Sequence, residues 1–228
     1  MPRFLILRLE GPMQAWGTHT YEDFRPSNLY PTRSGLLGLL AACLGIDRRD
    51  RQALSELAQS VEFSVRIDNR VVRPGLDQPR NKPSVKLPDY HTILEARRAN
   101  RPPKPGETVQ SWREYLFDAA FTVAVGEKPD AVYPLERLAD ALRRPCYTPT
   151  LGRRSCPPTR PLLDGDPVEA SNALEALRQI SGYGDLIYSE IEGDSKGLPV
   201  RLRDVPLDGR TRQFGTRIVY LHKESPCT

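Results

Sequence analysis

Residues 34–44 read Ser-Gly-Leu-Leu-Gly-Leu-Leu-Ala-Ala-Cys-Leu and are followed by Gly45. The run predicts a helix with a glycine stop that is apolar on nearly all sides, and such a helix has to be buried. The rest of the chain must supply a core around it. At 228 residues and 39% hydrophobic content the chain can do so, as one large domain or two small ones.

The elements on either side fit that demand. Residues 3–9 (RFLILRL), closed by Gly11-Pro12, read as a buried strand. Asp50 can cap a second helix through Ala53, Leu54, Leu57 and Ala58, followed by a strand alternating Val61, Phe63, Val65 and Ile67. Beyond a turn at Asn69 the periodicity stops, and Pro74, Pro79, Pro83, Pro88, Pro102, Pro103 and Pro105 stiffen a long excursion with Tyr90, His91, Ile93 and Leu94 as anchors. Residues 112–125 predict a strand, with Phe117, Ala119, Phe121, Val123 and Val125 alternating. Pro134 then opens a helix carrying Leu135, Leu138, Ala139 and Leu142. Asp166-Pro167 predicts the start of another helix, and residues 186–191, 200–205 and 217–222 read as strands. The order β, α, β, excursion, β, α points to an α+β sandwich of the ferredoxin-like or RRM-like kind, not to a parallel doubly wound sheet. It also suggests a main domain over residues 1–145 that contains the excursion. Residues 146–228 would be an Arg-rich loop and a smaller, reduced α/β part packed on the same body.

Charge is segregated along the chain. Residues 71–105 hold eight Lys or Arg against Asp77, Asp89 and Glu95, a balance of +5, and residues 143–160 add five arginines and no acid. The formal net charge is +4, so the remainder carries 4 − 10 = −6. A basic face on an acidic body is what phosphate binding requires, although solvated basic loops share this pattern.

The motifs supply binding chemistry. Gly35 and Gly38 lie at a helix start, where free amides favour an anion, and Arg33 with Ser34 would stand at its exposed mouth; Gly38 reads as permitting close helix packing. The Gly-Lys-Ser/Thr ending of a nucleotide loop is missing. Arg153 and Arg154 sit between Gly152 and a proline pair, with Tyr147 near enough to stack an unpaired base. His91 is the one residue that suggests acid–base work on a 2′-hydroxyl. The competing reading is a metal-independent endoribonuclease built on Tyr90, His91 and a lysine such as Lys86 or Lys104. The four cysteines and three histidines show no metal-ligand spacing, no hydrolase elbow is present, and no run approaches a membrane span or a secretory leader. A cytoplasmic protein with no cofactor is expected.

Five blocks carry a family resemblance: LILRLEGPMQAWG at 5–17, YPTRSGLLGLLAACLGI at 30–46, DYHTIL at 89–94, SWREYLFDAAFTVAV at 111–125 and YTPTLGRRSCPPTRPL at 147–162. In this order they resemble the CasD family, the Cas-five-type (RAMP superfamily) subunits of the type I-E CRISPR Cascade surveillance complex. The resemblance implies a repeat-associated fold related to the RNA recognition motif. It implies a non-catalytic subunit that binds the 5′ handle of the crRNA, caps the backbone filament and supports crRNA-guided binding of a DNA target. Residues 73–110 would then be the family's thumb, docking on the neighbouring backbone subunit. The large PAM-recognising subunit and other Cascade proteins would be further partners, with target DNA met indirectly. Matching by motif makes Arg33, Ser34, Trp112, Arg113, Tyr147, Arg153 and Arg154 the RNA-contact residues, with His91 in the thumb. In the related type I-C complexes the corresponding subunit is itself the pre-crRNA endonuclease, which keeps the processing alternative in view.

Overall fold

The computed structural model describes residues 1–18, 23–68, 70–71, 80–81, 84–96, 102, 104–182, 184–193, 196–208 and 213–223. The N-terminal half contains β1 (Arg3–Glu10), β2 (Met13–Gln14), β3 (Trp16–Gly17), β4 (Phe24–Arg25), β5 (Ser27–Asn28), α1 (Arg33–Leu44), α2 (Arg51–Ser60), β6 (Val61–Ile67), β7 (Arg70–Val71), β8 (Arg80–Asn81) and β9 (Val85–Leu94). The remainder contains β10 (Thr108–Phe117), β11 (Ala120–Glu127), α3 (Leu135–Arg143), β12 (Val168–Glu169), α4 (Ala173–Gln179), β13 (Leu186–Ser189), β14 (Leu198–Asp208) and β15 (Gln213–Lys223).

Seven strands form one antiparallel sheet in the order β12-β1-β11-β6-β13-β15-β14. Because side chains alternate across a strand, Leu5, Leu7, Leu9, Phe63, Val65, Phe121, Val123 and Val125 share one face with α1, α2 and α3. Phe4, Ile6 and Ala124 pack on α4 from the other face. Burial on both faces is why β1 reads as a near-continuous apolar run, while β6 keeps its alternation because Ser64 and Arg66 stand on the second face, Arg66 bonding the Leu177 carbonyl of α4.

The apolar helix α1 is enclosed as its sequence demands, with Leu36, Leu37, Leu39, Leu40, Ala41 and Cys43 buried. Thr32 caps it by accepting from the Gly35 amide, and Gly45, at φ +74°, returns its amide to the carbonyls of Ala41 and Ala42. The close-packing glycine is Gly35, whose added Cβ would lie 2.8 Å from the Trp16 ring. Gly38 instead faces open space, contrary to the sequence reading.

Three expectations are corrected. The strand expected over 112–125 is two strands in two sheets, parted at Asp118, whose φ of +55° turns the chain. The helix expected from Asp166-Pro167 starts only at Ala173, capped by Asn172, because Val168 and Glu169 first pair with β1. The aperiodic excursion holds a regular hairpin, in which β9 and β10 pair from Thr108↔Leu94 to Phe117↔Val85. Apolar alternation is weak there because β9 is exposed on both faces apart from half-buried His91. Residues 72–79 and the basic run at 97–101, with Cys227, lie outside the described residues.

Gly38 sits mid-helix in α1 with no neighbour to clash, so Gly38→Ala should stabilise the fold by about 0.5–1 kcal/mol through lower unfolded-state entropy. Urea unfolding checks this: a higher midpoint at unchanged slope is expected.

Candidate nucleic-acid interface

β10 is the spine of a second sheet. It pairs with β9 along one edge, and on the other with β2 near its end and with β4 at Trp112↔Phe24 and Arg113↔Arg25. Gln14, fully buried, fixes its departure from the main sheet. Its side-chain nitrogen donates to the carbonyls of Leu9 and Ala119 at 2.9 and 2.7 Å, and its oxygen accepts from the Trp16 indole.

Directly opposed residues share a face of the ribbon. One face carries His91, Arg113 and Tyr115. The Arg153 guanidinium lies 4.7 Å over the Tyr115 ring and donates to the carbonyls of Glu114 (2.9 Å) and Arg25 (2.7 Å), so the Arg loop is stapled to the hairpin root. The Tyr115 hydroxyl lies 3.4 Å from both His91 Nε2 and Ser155 Oγ. His91 Nε2 also lies 2.8 Å from Asp89 Oδ2, while Arg113 donates to Ser111 Oγ. The loop is held from behind by the Ala15 amide donating to the Leu151 carbonyl, and Gly152, at φ +93°, has no room for a Cβ. Arg154 is exposed and makes no hydrogen bond or ion pair among the described residues.

The opposite face carries Trp112, stacked on Phe24 (centroids 5.5 Å apart, 14° between planes) and 5.3 Å from Tyr90. Below the rings, Lys86 pairs with Glu114 at 2.8 Å. Burial alone would raise the Glu114 carboxyl, but hydrogen bonds from Lys86 and the Ser27 amide hold it below its ordinary value.

His91, Trp112, Arg113, Arg153 and Arg154 therefore gather at the hairpin root, on two faces. Tyr147 does not join them: its amide donates to the Ala42 carbonyl at the end of α1, and its ring is exposed without a partner among the described residues. Arg33 is a correction, because it is buried and not at an exposed mouth. Its guanidinium pairs with Glu190, bonds the Ala58 carbonyl and lies over the Phe63 ring. The helix start does take an anion, but that anion is Asp204 from β14, which accepts from the Arg33 amide at 2.8 Å and from Arg217. Arg217 also pairs with Glu190, closing a four-charge network that ties α1 to β14 and β15. Tyr30 stacks on Tyr188 beside it (4.0 Å), and burial, with Tyr188 and Asp204 adding, pushes the Tyr30 phenol well above its ordinary pKa. Ser34, half-buried, lies 3.4 Å from the Thr32 hydroxyl at this end of α1.

The sequence reading missed Phe24 as a ring partner and Tyr115 as the centre of the polar face. Both follow from the register of β10, which is visible only once the hairpin and the parallel β4 pairing are known. The trio of the competing endoribonuclease reading is not gathered on one face: β9 sends Tyr90 and Lys86 to the face opposite His91, and the other candidate lysine, Lys104, lies outside both strands of the hairpin.

Comparison with known proteins agrees with this architecture. A family model described as CRISPR-associated protein (Cas_Cas5) matches residues 4–220. A relative in Escherichia coli (strain K12), "CRISPR system Cascade subunit CasD", is 47% identical over 223 residues, covering 98% of this chain and 97% of that one. A solved chain from a "CRISPR RNA-guided surveillance complex" superposes with a TM-score of 0.70 at 29% identity, over 96% of this chain and 89% of that one. Another, "Crystal structure of Cas protein", gives 0.65 at 29% identity over 96% and 94%. The chain belongs to the Cas5 family of CRISPR-associated proteins, in its CasD branch. Its mixed α/β build with antiparallel sheets is that of the solved members it resembles.

Removing one partner of a buried ion pair leaves the other charge uncompensated, so Arg33→Ala should destabilise the fold by roughly 3–5 kcal/mol. Denaturant unfolding of the purified variant measures it; a change below about 1 kcal/mol would mean that the network is dispensable.

Proposed function

We propose that this chain is a non-catalytic subunit of a type I-E CRISPR Cascade complex. It binds the 5′ handle of the crRNA, caps the backbone filament and so supports crRNA-guided binding of the DNA target. The observation that carries the reading is the gathering of Arg113, Arg153, Arg154, His91 and Trp112 at the root of a projecting hairpin, in a chain of the Cas5 family. Guanidinium groups bond phosphates and rings stack on unpaired bases, which are the two requirements of single-strand recognition.

Within that function, residues 73–110 act as the thumb against the neighbouring backbone subunit, and the large PAM-recognising subunit docks elsewhere on the body. Tyr147 contacts RNA from the far end of α1, and Ser34 from its start. Arg33 contributes by holding the start of α1 in place. The strands β12-β1-β11-β6 number 4-1-3-2 by chain order, with α1 and α3 in the crossovers, which supports a ferredoxin-like, RRM-related unit. That unit is residues 1–145, and residues 146–228 pack on it and lend β12. Unlike an open RRM sheet, the face opposite α1 is occupied by α4, so RNA is read at the hairpin root and not on the main sheet. The setting is cytoplasmic, and among the described residues no helix is long and apolar enough to cross a membrane.

The endoribonuclease alternative keeps one supporting observation, the Asp89–His91–Tyr115 contact. Incubating the chain with its labelled repeat RNA in EDTA should give a shifted band and no product; a discrete product lost in His91→Ala would reverse the assignment. Arg154 has no structural partner among the described residues, so Arg154→Ala should weaken handle binding and lower the salt dependence by about one phosphate contact, with stability within about 0.5 kcal/mol of the parent. Unchanged affinity across a salt series would remove Arg154 from the interface.

A further inference from the structure

Phe24, Trp112 and Tyr90 are 56, 37 and 52% exposed, yet they lie against one another on a single face of the ribbon. Their proximity is built in by register, since Trp112 opposes Tyr90 on β9 and Phe24 on β4. On this face the rings are flanked by Thr92 and Gln110 on one side and by Pro88 and Glu114 on the other, with Lys86, ion-paired to Glu114, one position further along. The cluster is three side chains, far short of the roughly 20–30 residues a side of a stable protein interface. The reverse face sets Arg25 opposite Arg113 across the parallel β4–β10 pairing.

We propose that Phe24, Trp112 and Tyr90 form a stacking site for one unpaired nucleobase of the bound RNA, whose flanking phosphates pass the β4 edge to meet Arg25 and Arg113. The inference rests on the RNA-binding reading above and adds to it a base site containing two residues, Phe24 and Tyr90, outside the expected contacts. Trp112 stands between its two ring neighbours, and a base laid on the cluster gains stacking without hydrogen-bond readout, so the site accepts any base.

The test uses the full chain and its labelled repeat RNA. The two tryptophans differ sharply, because Trp16 is fully buried, so quenching of emission on RNA binding reports Trp112 and should vanish in Trp112→Phe. Phe24→Ala and Tyr90→Ala should each weaken binding about fivefold or more, with unchanged circular dichroism. An abasic substitution at one RNA position should cause the same loss, and combining it with either variant should add little, as required of groups that touch. Full-affinity RNA binding with no quench and no effect of the variants would overturn the stacking site and leave the handle-binding reading standing. Absence of any RNA binding would overturn both. Variants that bind RNA normally but fail to assemble with the other subunits would make the rings a protein-docking patch and overturn the inference. Quenching by DNA of the same sequence but not by RNA would also overturn it.

Discussion

Gln14 is a fully buried amide that bonds the Leu9 and Ala119 carbonyls together with the Trp16 indole, where β1 ends and β10 gives way to β11. Buried carbonyls have to be satisfied, and these two stand where one sheet gives way to the other. One side chain bonds both, and the chain can then turn at Asp118 from the second sheet into the first. The projecting hairpin, the Arg loop docked on it through Arg153 and the two-faced ribbon all follow from that junction.

The main sheet solves a different problem. α1 is apolar nearly all round, so it needs cover on every side, including at its polar N-terminus, where the free amides require an acceptor. Asp204 reaches the Arg33 amide, and Arg217 and Glu190 balance the charges around it. The last two strands thus complete the helix that the first third of the chain encodes. The buried charges of this end therefore serve the fold, whereas at the hairpin root Arg154 is exposed and makes no hydrogen bond or ion pair among the described residues.

Much of this was legible in residue order. The caps at Asp50 and Gly45, the buried strand at 3–9 and the helix after Pro134 follow from local rules that tertiary structure did not override. The hairpin was not legible, because β9 is exposed on both faces and so carries no apolar alternation, and because the prolines suggested an irregular path. The true start of α4 was hidden by the short pairing of Val168 and Glu169 with β1, a long-range contact without a local signature. At the site, Arg153, Arg113 and Trp112 could be singled out by residue type. Arg33 could not be told from them, since an arginine beside a glycine-rich helix start looks the same whether its guanidinium meets a phosphate or Glu190. Phe24 and Tyr115 acquire roles only through register.

The claim at the centre of this account is that the hairpin root and the adjoining Arg loop are the RNA-facing surface of a Cas5-family chain. Photocrosslinking of 4-thiouridine-substituted repeat RNA to the chain, with adducts mapped by mass spectrometry, addresses it most directly. Adducts concentrated in residues 84–94, 108–117 and 147–160 are the predicted result; adducts confined to α4 or to the β14–β15 hairpin would contradict it.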